Sequence, residues 1–386
     1  MKSVATIRLK IPYNELLINS MTEYSKAISY ISDEGFNSKI INRYDLHHLV
    51  YHKAREKFKL PSQYIINAVR VASQNLKSIT TTKGSKPSYS RYMPLDFDKR
   101  TFTFSPDNVR VTTINGRIDI PIQIPEYYTK YLDWSWQTAQ VILDKKQRMF
   151  LHITFSKDVN INTCSNRKVG IDVGINHIAV TSDKRFFRGS QVKTKMLKFK
   201  RLRKKLQAKG TRSSRKLLKK WSGKERRFKA WTNHNVSKQI VDNCNAGTLV
   251  MENLKGIRRG KRGKRFNYWI NNWSFFQLQN FITYKANRNG ISVIKVNPFH
   301  TSQRCSRCGN LGSRIKHLFT CLHCNYSLNS DLNASFNLAK HPAICKGVSA
   351  SVTEPYIPNC DTETIFGTEV EFRDNQHKSV KPHALA

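Results

Sequence analysis

Four cysteines and three carboxylates hold most of the chemistry legible in this chain. Cys305-x2-Cys308 and Cys321-x2-Cys324 each place two thiolates on a tight knuckle, with twelve residues between the pairs. Two such knuckles complete one tetrahedral Zn2+ site. Four sulfur ligands leave no open coordination position, so the expected role of the metal is structural. His317 and His323 lie between or beside the knuckles, are not needed as ligands and are expected at the surface. Cys164, Cys244, Cys345 and Cys360 lack partner spacing and read as packing or free thiols.

The first carboxylate, Asp172, sits in Val169-Gly-Ile-Asp-Val-Gly-Ile-Asn-His-Ile-Ala-Val180, an apolar strand that returns as a second strand. An acid there is costly to desolvate unless a cation or donors satisfy it; a turn aspartate beside Gly174 is the alternative. Glu252 ends another apolar strand, Thr248-Leu-Val-Met-Glu252, and Asp331 opens a helical run to Leu338. Asp331 alone could simply serve the helix dipole. Together, carboxylates from two strands and a helix start supply hard oxygen ligands for Mg2+ or Mn2+, the donor set that two-metal phosphodiester cleavage requires.

Charge points the same way. The chain has 67 Lys and Arg against 26 Asp and Glu, a formal net charge of +41, which is self-repulsive unless a polyanion neutralises it. Between Lys193 and Lys229 the only acid is Glu225, among basic residues that include Lys200, Arg201, Arg203, Lys204 and Lys205. Backbone phosphates are the natural partner of such a helix. Arg258, Arg259, Lys261, Arg262, Lys264 and Arg265 follow the Glu252 strand, and Gly260 and Gly263 would let them track a nucleic-acid backbone. Trp269, Trp273, Phe276 and Phe281, on an expected helix over 267–289, have the spacing of a packed face more than of a stacking platform.

No apolar stretch reaches the roughly 18 residues that cross a bilayer, and the N-terminus has no continuous apolar core of a signal peptide. The expectation is a soluble, cytoplasmic chain without a membrane partner, its thiols reduced. A length of 386 residues, 39% of them hydrophobic, is enough for more than one core.

The elements that must position these residues follow from periodicity. Leu17, Met21, Tyr24, Ile28 and Ile31 mark one helix; a second spans Asp45 to Phe58; a third starts at Pro61 and continues through Ile65, Val69, Ala72 and Leu76. Ser78 to Lys99 reads as a polar connection. Thr101–Ser105, Val109–Ile114 and Arg117–Ile124, with a turn at Asn115-Gly116, read as strands, as do Gln140–Leu143 and Met149–Phe155. With Ala5–Ile11 these make a small β-barrel or sandwich holding an inserted helical module. From Lys168 to about Pro342, strands alternate with long helices in a mixed α/β domain. The segment beyond Ala343 is rich in acids and weakly periodic, and reads as a tail.

These motifs resemble a known family. Gly-Ile-Asp172-x-Gly-Ile, Met-Glu252-Asn-Leu, Pro298-x-x-Thr301-Ser302-Gln303-x-Cys305-x-x-Cys308-Gly309 and Asp331-x-Asn333-Ala334 look like the RuvC motifs and inserted zinc ribbon of the TnpB family, a pattern shared with miniature type V CRISPR effectors. Leu60-Pro-Ser-Gln63 and the strand-rich segment look like that family's recognition and wedge regions. The resemblance implies an α/β multidomain fold. It places a β-barrel wedge domain at 1–15 and 91–165, a helical recognition module at 16–90, an RNase H-like RuvC domain at 166–298 and 326–342, a zinc ribbon at 299–325 and a weakly ordered tail at 343–386. It implies RNA-guided cutting of double-stranded DNA beside a short transposon-adjacent motif, with guide RNA and target DNA as partners, Mg2+ (or Mn2+) at Asp172, Glu252 and Asp331, and Zn2+ at the four cysteines. Ser330 and His317 stand where the family often has arginines, leaving Arg314 as the candidate catalytic arginine. A transposase joining strands at transposon ends, and an RNA-bound repressor without cutting, are the rival readings.

Overall fold

The computed structural model describes residues 1–82, 84–161, 166–254, 263–298 and 301–341. The expected tail and Cys164 lie outside the described residues, as do Cys345 and Cys360.

Strand β1 (Lys2–Ile11) alternates strictly, with Ala5, Ile7, Leu9 and Ile11 buried, the period-2 pattern of a half-covered strand. Helix α1 (Glu15–Asn37) is capped by Asn14, whose side chain accepts from the Leu17 amide. Asn42 caps α2 (Arg43–Lys57) in the same manner. Pro61 directly precedes α3 (Ser62–Thr82). This helix runs five residues into the expected polar connection, which also contains a short strand, β2 (Leu95–Phe97). At only three residues, β2 is too short to show an alternation in sequence.

Strands β3 (Phe102–Phe104), β4 (Asn108–Thr113) and β5 (Gly116–Pro121) form one antiparallel sheet. Thr113 pairs with Gly116, so the two-residue turn is Ile114-Asn115, one position earlier than the Asn-Gly pair suggests. Gly116 takes φ +104°, which a side chain would resist. After a single turn, α4 (Glu126–Thr129), strands β6 (Ser135–Leu143) and β7 (Met149–Asp158) complete a second sheet in the order β1-β7-β6-β2. The N-terminal strands thus form two sheets in place of one closed barrel ladder. Both share a single apolar core with the helices, Tyr24, Tyr64 and Phe97 among its largest fully buried side chains.

The second core is built on five strands: β8 (Lys168–Asp172), β9 (His177–Thr181), β10 (Phe186–Arg188), β11 (Thr248–Glu252) and β12 (Ser292–Val296). Their order is β10-β9-β8-β11-β12, with the first three antiparallel and β8, β11 and β12 parallel. Helices α5 (Ser190–Lys209) and α6 (Arg212–Asp242) connect β10 to β11. The expected continuous basic helix is broken at Gly210, which adopts φ +61° and ends α5 as a left-handed cap. The pair is pinned by buried Glu225, which accepts from Arg203 on α5 and lies 2.8 Å from Lys229. Helices α7 (Lys264–Asn272) and α8 (Phe275–Arg288) replace the single helix expected over 267–289, because Trp273 turns to an extended conformation between them. Trp273 and Phe281 are core residues, whereas Phe276 is 62% exposed.

Between β12 and the last helix lies a small sheet of β13 (Gly312–Ile315), β14 (Leu318–Cys321) and β15 (Ser327–Asn329). Strand β15 runs directly into α9 (Ser330–Ala339). No helix among the described residues is long and apolar enough to cross a membrane.

Candidate metal centre

The sheet register puts two of the acids side by side. Strand β11 runs parallel to β8 with Thr248 beside Lys168 and Met251 beside Ile171. One step further, Asp172 and Glu252 end neighbouring strands at the same level. Strands in register lie about 4.8 Å apart and point equivalent residues to the same face.

That face is the one covered by α9. Gly170 is two residues before Asp172, and a Cβ placed on it would fall 2.0 Å from the Ser335 carbonyl oxygen. Val250, two before Glu252, packs with Val296 and with Leu338 of α9. On the opposite face Val169, Ile171, Leu249 and Met251 pack against Val192, Val236 and Leu278 of the other helices. Because side chains alternate along a strand, Asp172 and Glu252 share the α9 face. Asp331 is the second residue of α9, so all three acids come to one end of the sheet.

Each acid is held differently. Glu252 accepts a hydrogen bond from the Thr301 hydroxyl, and its main-chain carbonyl accepts from Gln279 Nε2 at 2.7 Å. Asp331 is 7% exposed. Its Oδ2 lies 2.8 Å from His177 Nδ1 and its Oδ1 accepts from Arg314 at 3.0 Å and from the Ser330 hydroxyl at 3.3 Å. The helix start is secured by Asn329, which accepts from the amides of Asp331 and Leu332. Asp172 is half-buried as a residue, but its carboxyl is hemmed in by protein and by the other two acids.

Electrostatics follow from these surroundings. Burial pushes Asp172 well above the usual carboxylate range, and the charges of Glu252 and Asp331 push it further, against a lowering influence of Arg314. Burial also raises Glu252, opposed by the Thr301 hydrogen bond. For Asp331, burial works upward, but the His177 hydrogen bond and the Arg314 charge outweigh it and hold the carboxyl below its ordinary value. Two acids that resist ionisation beside a third that favours it form a site that a divalent cation would stabilise. The oxygens of the three are not all within 4.8 Å of one another.

The cysteines meet more tightly. Their four sulfurs all lie within 4.8 Å of one another, the one such group of ligand atoms among the described residues. Cys305 and Cys324 sulfurs are 3.7 Å apart, and those of Cys308 and Cys321 are 3.5 Å apart. Tetrahedral Zn–S bonds of about 2.3 Å require an edge of about 3.8 Å, whereas a disulfide would need about 2.05 Å. The donor set fits zinc. Backbone amides already face the sulfurs: Arg307 N–H donates to Cys305 and Cys324 N–H to Cys321. The latter contact leads those that draw the Cys321 thiol down to about 6. Cys244 has no cysteine partner among the described residues and sits half-buried against the second core.

Of the basic residues singled out in the sequence, Lys200, Arg201, Lys204 and Lys205 are exposed on α5. Arg203 turns to Glu225 instead. Arg258, Arg259, Lys261 and Arg262 lie outside the described residues, as do the side chains of Lys264 and Arg265. His317 sits at the tip of the β13–β14 hairpin, its ring 6.0 Å from that of His177, and its carbonyl accepts from the Ser330 amide at 2.8 Å. His177, Thr301 and Gln279 were given no role by sequence reasoning. The signal available was their type: a histidine opening an apolar strand, and a glutamine on the buried side of α8.

An α/β protein with a four-cysteine ribbon beside a carboxylate-bearing sheet end is the class that these features define. Residues 154–258 match the family described as probable transposase, and residues 275–338 match the Cas12f1-like TNB domain. A TnpB-like protein of Methanocaldococcus jannaschii is 31% identical over 262 residues, spanning 62% of this chain and 92% of that protein. The CRISPR-associated endodeoxyribonuclease Cas12f1 of Sulfoacidibacillus thermotolerans is 28% identical over 364 residues, covering 81% of this chain and 85% of the relative. Among solved structures, a Cas12f1–sgRNA–target DNA complex aligns with a TM-score of 0.59 at 19% identity, over 84% of this chain and 81% of that one, a likeness of fold. The chain belongs to the TnpB-like family, and Cas12f1 proteins are among its relatives.

Proposed function

We propose that this protein is an RNA-guided DNA endonuclease that cuts double-stranded DNA at a RuvC-like site made by Asp172, Glu252 and Asp331. The observation that carries the reading is the in-register placement of Asp172 and Glu252 under the start of α9, where Asp331 lies. An order of antiparallel β10-β9-β8 followed by parallel β11 and β12 suits an RNase H-like sheet. The Sulfoacidibacillus relative is named an endodeoxyribonuclease, and the fold neighbour was solved with guide RNA and target DNA.

The three acids would hold two Mg2+ (or Mn2+) ions, which when bound supply water activation and charge neutralisation at the leaving oxygen. The chain's own residues prepare the site. Thr301 fixes the Glu252 carboxylate, and His177 fixes that of Asp331. Arg314, 41% exposed in its side chain while touching Asp331, would be the group to meet a scissile phosphate. Zn2+ at Cys305, Cys308, Cys321 and Cys324 would close the ribbon that presents it. Guide pairing would read sequence, and the N-terminal half a short flanking motif. Exposed Lys200, Arg201, Lys204 and Lys205 would follow a phosphate backbone.

The test is to purify the chain with its RNA, sequence that RNA, and offer plasmids carrying its complement beside randomised flanks. Mg2+-dependent cutting of matched plasmids, abolished by Asp172→Ala and by prior RNase treatment, is expected. The match to the probable-transposase family favours a second reading, direct strand joining at transposon ends. Joining that survives RNase would establish it and overturn the first.

A further inference from the structure

Two residues of the sequence motifs, Thr301 and Asn333, take no part in holding zinc and carry no charge, yet they join the zinc ribbon to the acids. We propose that Thr301 and Asn333 are positioning residues that couple the zinc knuckle to the divalent-cation site, so that the two metal sites bind cooperatively. The inference rests on the reading of Asp172, Glu252 and Asp331 as cation ligands.

The connections are specific. Thr301 stands four residues before Cys305 and donates a hydrogen bond from its hydroxyl to the Glu252 carboxylate. Asn333, two residues after Asp331 and fully buried, faces the same knuckle segment. Its Oδ1 accepts from the Ser306 amide at 2.9 Å and its Nδ2 donates to the Arg304 carbonyl at 2.7 Å. Asn337, one turn further along α9, donates to the Thr301 and Arg304 carbonyls at 2.8 and 2.7 Å. Segment 301–306 is therefore bonded on one side to Glu252 and on the other to the helix that bears Asp331, and Cys305 lies within it.

Side-chain amides that satisfy main-chain groups in a buried setting fix position closely, because an alternative geometry leaves a buried donor or acceptor unpaired. A knuckle closed around zinc holds the Thr301 hydroxyl at Glu252 and α9 in its seat. With the knuckle open, Glu252 loses the hydroxyl that orients its carboxylate, and the helix that carries Asp331 loses the hydrogen bonds of Asn333 and Asn337 to the segment. Linkage is reciprocal, so a cation on the acids must also tighten the hold on zinc. Partners outside the ligand shell that orient a ligating carboxylate are worth about 10- to 100-fold in metal affinity.

The test uses the full-length, zinc-loaded protein and Mn2+ as probe, with free Mn2+ followed by electron paramagnetic resonance. Thr301→Val should weaken Mn2+ binding at least about 10-fold while zinc stays at one per chain, and Thr301→Ser should restore it. Asn333→Ala should speed zinc loss to a chromogenic chelator, and saturating Mn2+ should slow that loss in the wild type. Equal Mn2+ affinity in wild type and Thr301→Val, with zinc release indifferent to Mn2+, would overturn the coupling. A wild-type chain without saturable Mn2+ binding, or one whose Asp172→Asn variant binds Mn2+ unchanged, would instead overturn the cation reading of the acids, and the coupling with it.

Discussion

Gly170 of β8 abuts the Ser335 carbonyl of α9 so closely that a Cβ would lie 2.0 Å from that oxygen and 2.6 Å from the Ala339 amide. Both neighbours are backbone, so no side chain can move aside. This is the seat that brings Asp331 over the strand ends. Gly170→Ala is expected to lift α9, costing roughly 1–3 kcal/mol through overpacking and abolishing divalent-cation binding. Chemical denaturation and Mn2+ titration check it; a stable variant with normal Mn2+ affinity would show that α9 is not the clamp.

The raised pKa of Asp172 sets a pH dependence. A carboxyl whose folded pKa exceeds its unfolded value disfavours folding once pH passes the unfolded value, and the full penalty is present above the folded one. The cation-free protein is thus expected to lose stability as pH climbs from about 4, while Asp331, held low, contributes stability that is lost only as pH falls through its depressed pKa. Asp172→Asn should melt higher than wild type in chelator at mildly alkaline pH. It should also gain nothing from added Mg2+. Thermal melts across pH, with and without Mg2+, decide.

Removal of zinc should unmake the ribbon before the cores. Elemental analysis is expected to give one zinc per chain, and Cys308→Ser or Cys321→Ser to abolish it. The N-terminal core shares no residue with the cysteine cluster, so hydrogen exchange in β1 and β7 should be unchanged, while amides of β13–β15 and α9 exchange faster. Uniform acceleration would show that zinc stabilises the whole chain.

Arg203 and its neighbours on α5 should separate by mechanism. Glu225 is buried between Arg203 and Lys229. Breaking such a pair leaves cations without a counter-charge, so Glu225→Ala should destabilise the α5–α6 pair by roughly 3 kcal/mol. Replacing Lys200, Arg201, Lys204 and Lys205 with Gln should leave stability unchanged and lower the salt dependence of nucleic-acid binding, by about 0.9 in log–log slope for each duplex phosphate that the protein no longer neutralises. An unchanged slope would remove this face from the interface.

What the sequence made legible depended on how local the signal was. The α1 stripe from Leu17 to Ile31, the β4–β5 pairing and the paired cysteines are short-range patterns, and the structure places all of them near where periodicity and spacing put them. Glu252 and Asp172 were recognisable as acids ending apolar strands, but that they sit level is a matter of register between strands far apart in the chain. His177 reaches Asp331 across a separation of 154 positions, and Thr301 reaches Glu252 across 49. No periodicity encodes such pairings. The break at Trp273 is hidden in the sequence because the apolar spacing runs on across it, and Glu225 gains a role only where a second helix folds back beside it.

Chain order gives the ribbon one more consequence. Asp331 follows both zinc knuckles, so a polypeptide emerging from the ribosome displays Asp172 and Glu252 well before the third acid exists. Even then, on the coupling proposed above, the hydrogen bonds from Asn333 and Asn337 would hold α9 only once the knuckle segment has closed. On that coupling, a nascent or zinc-starved chain would be an unarmed one, and the supply of one metal would set when a second could be held.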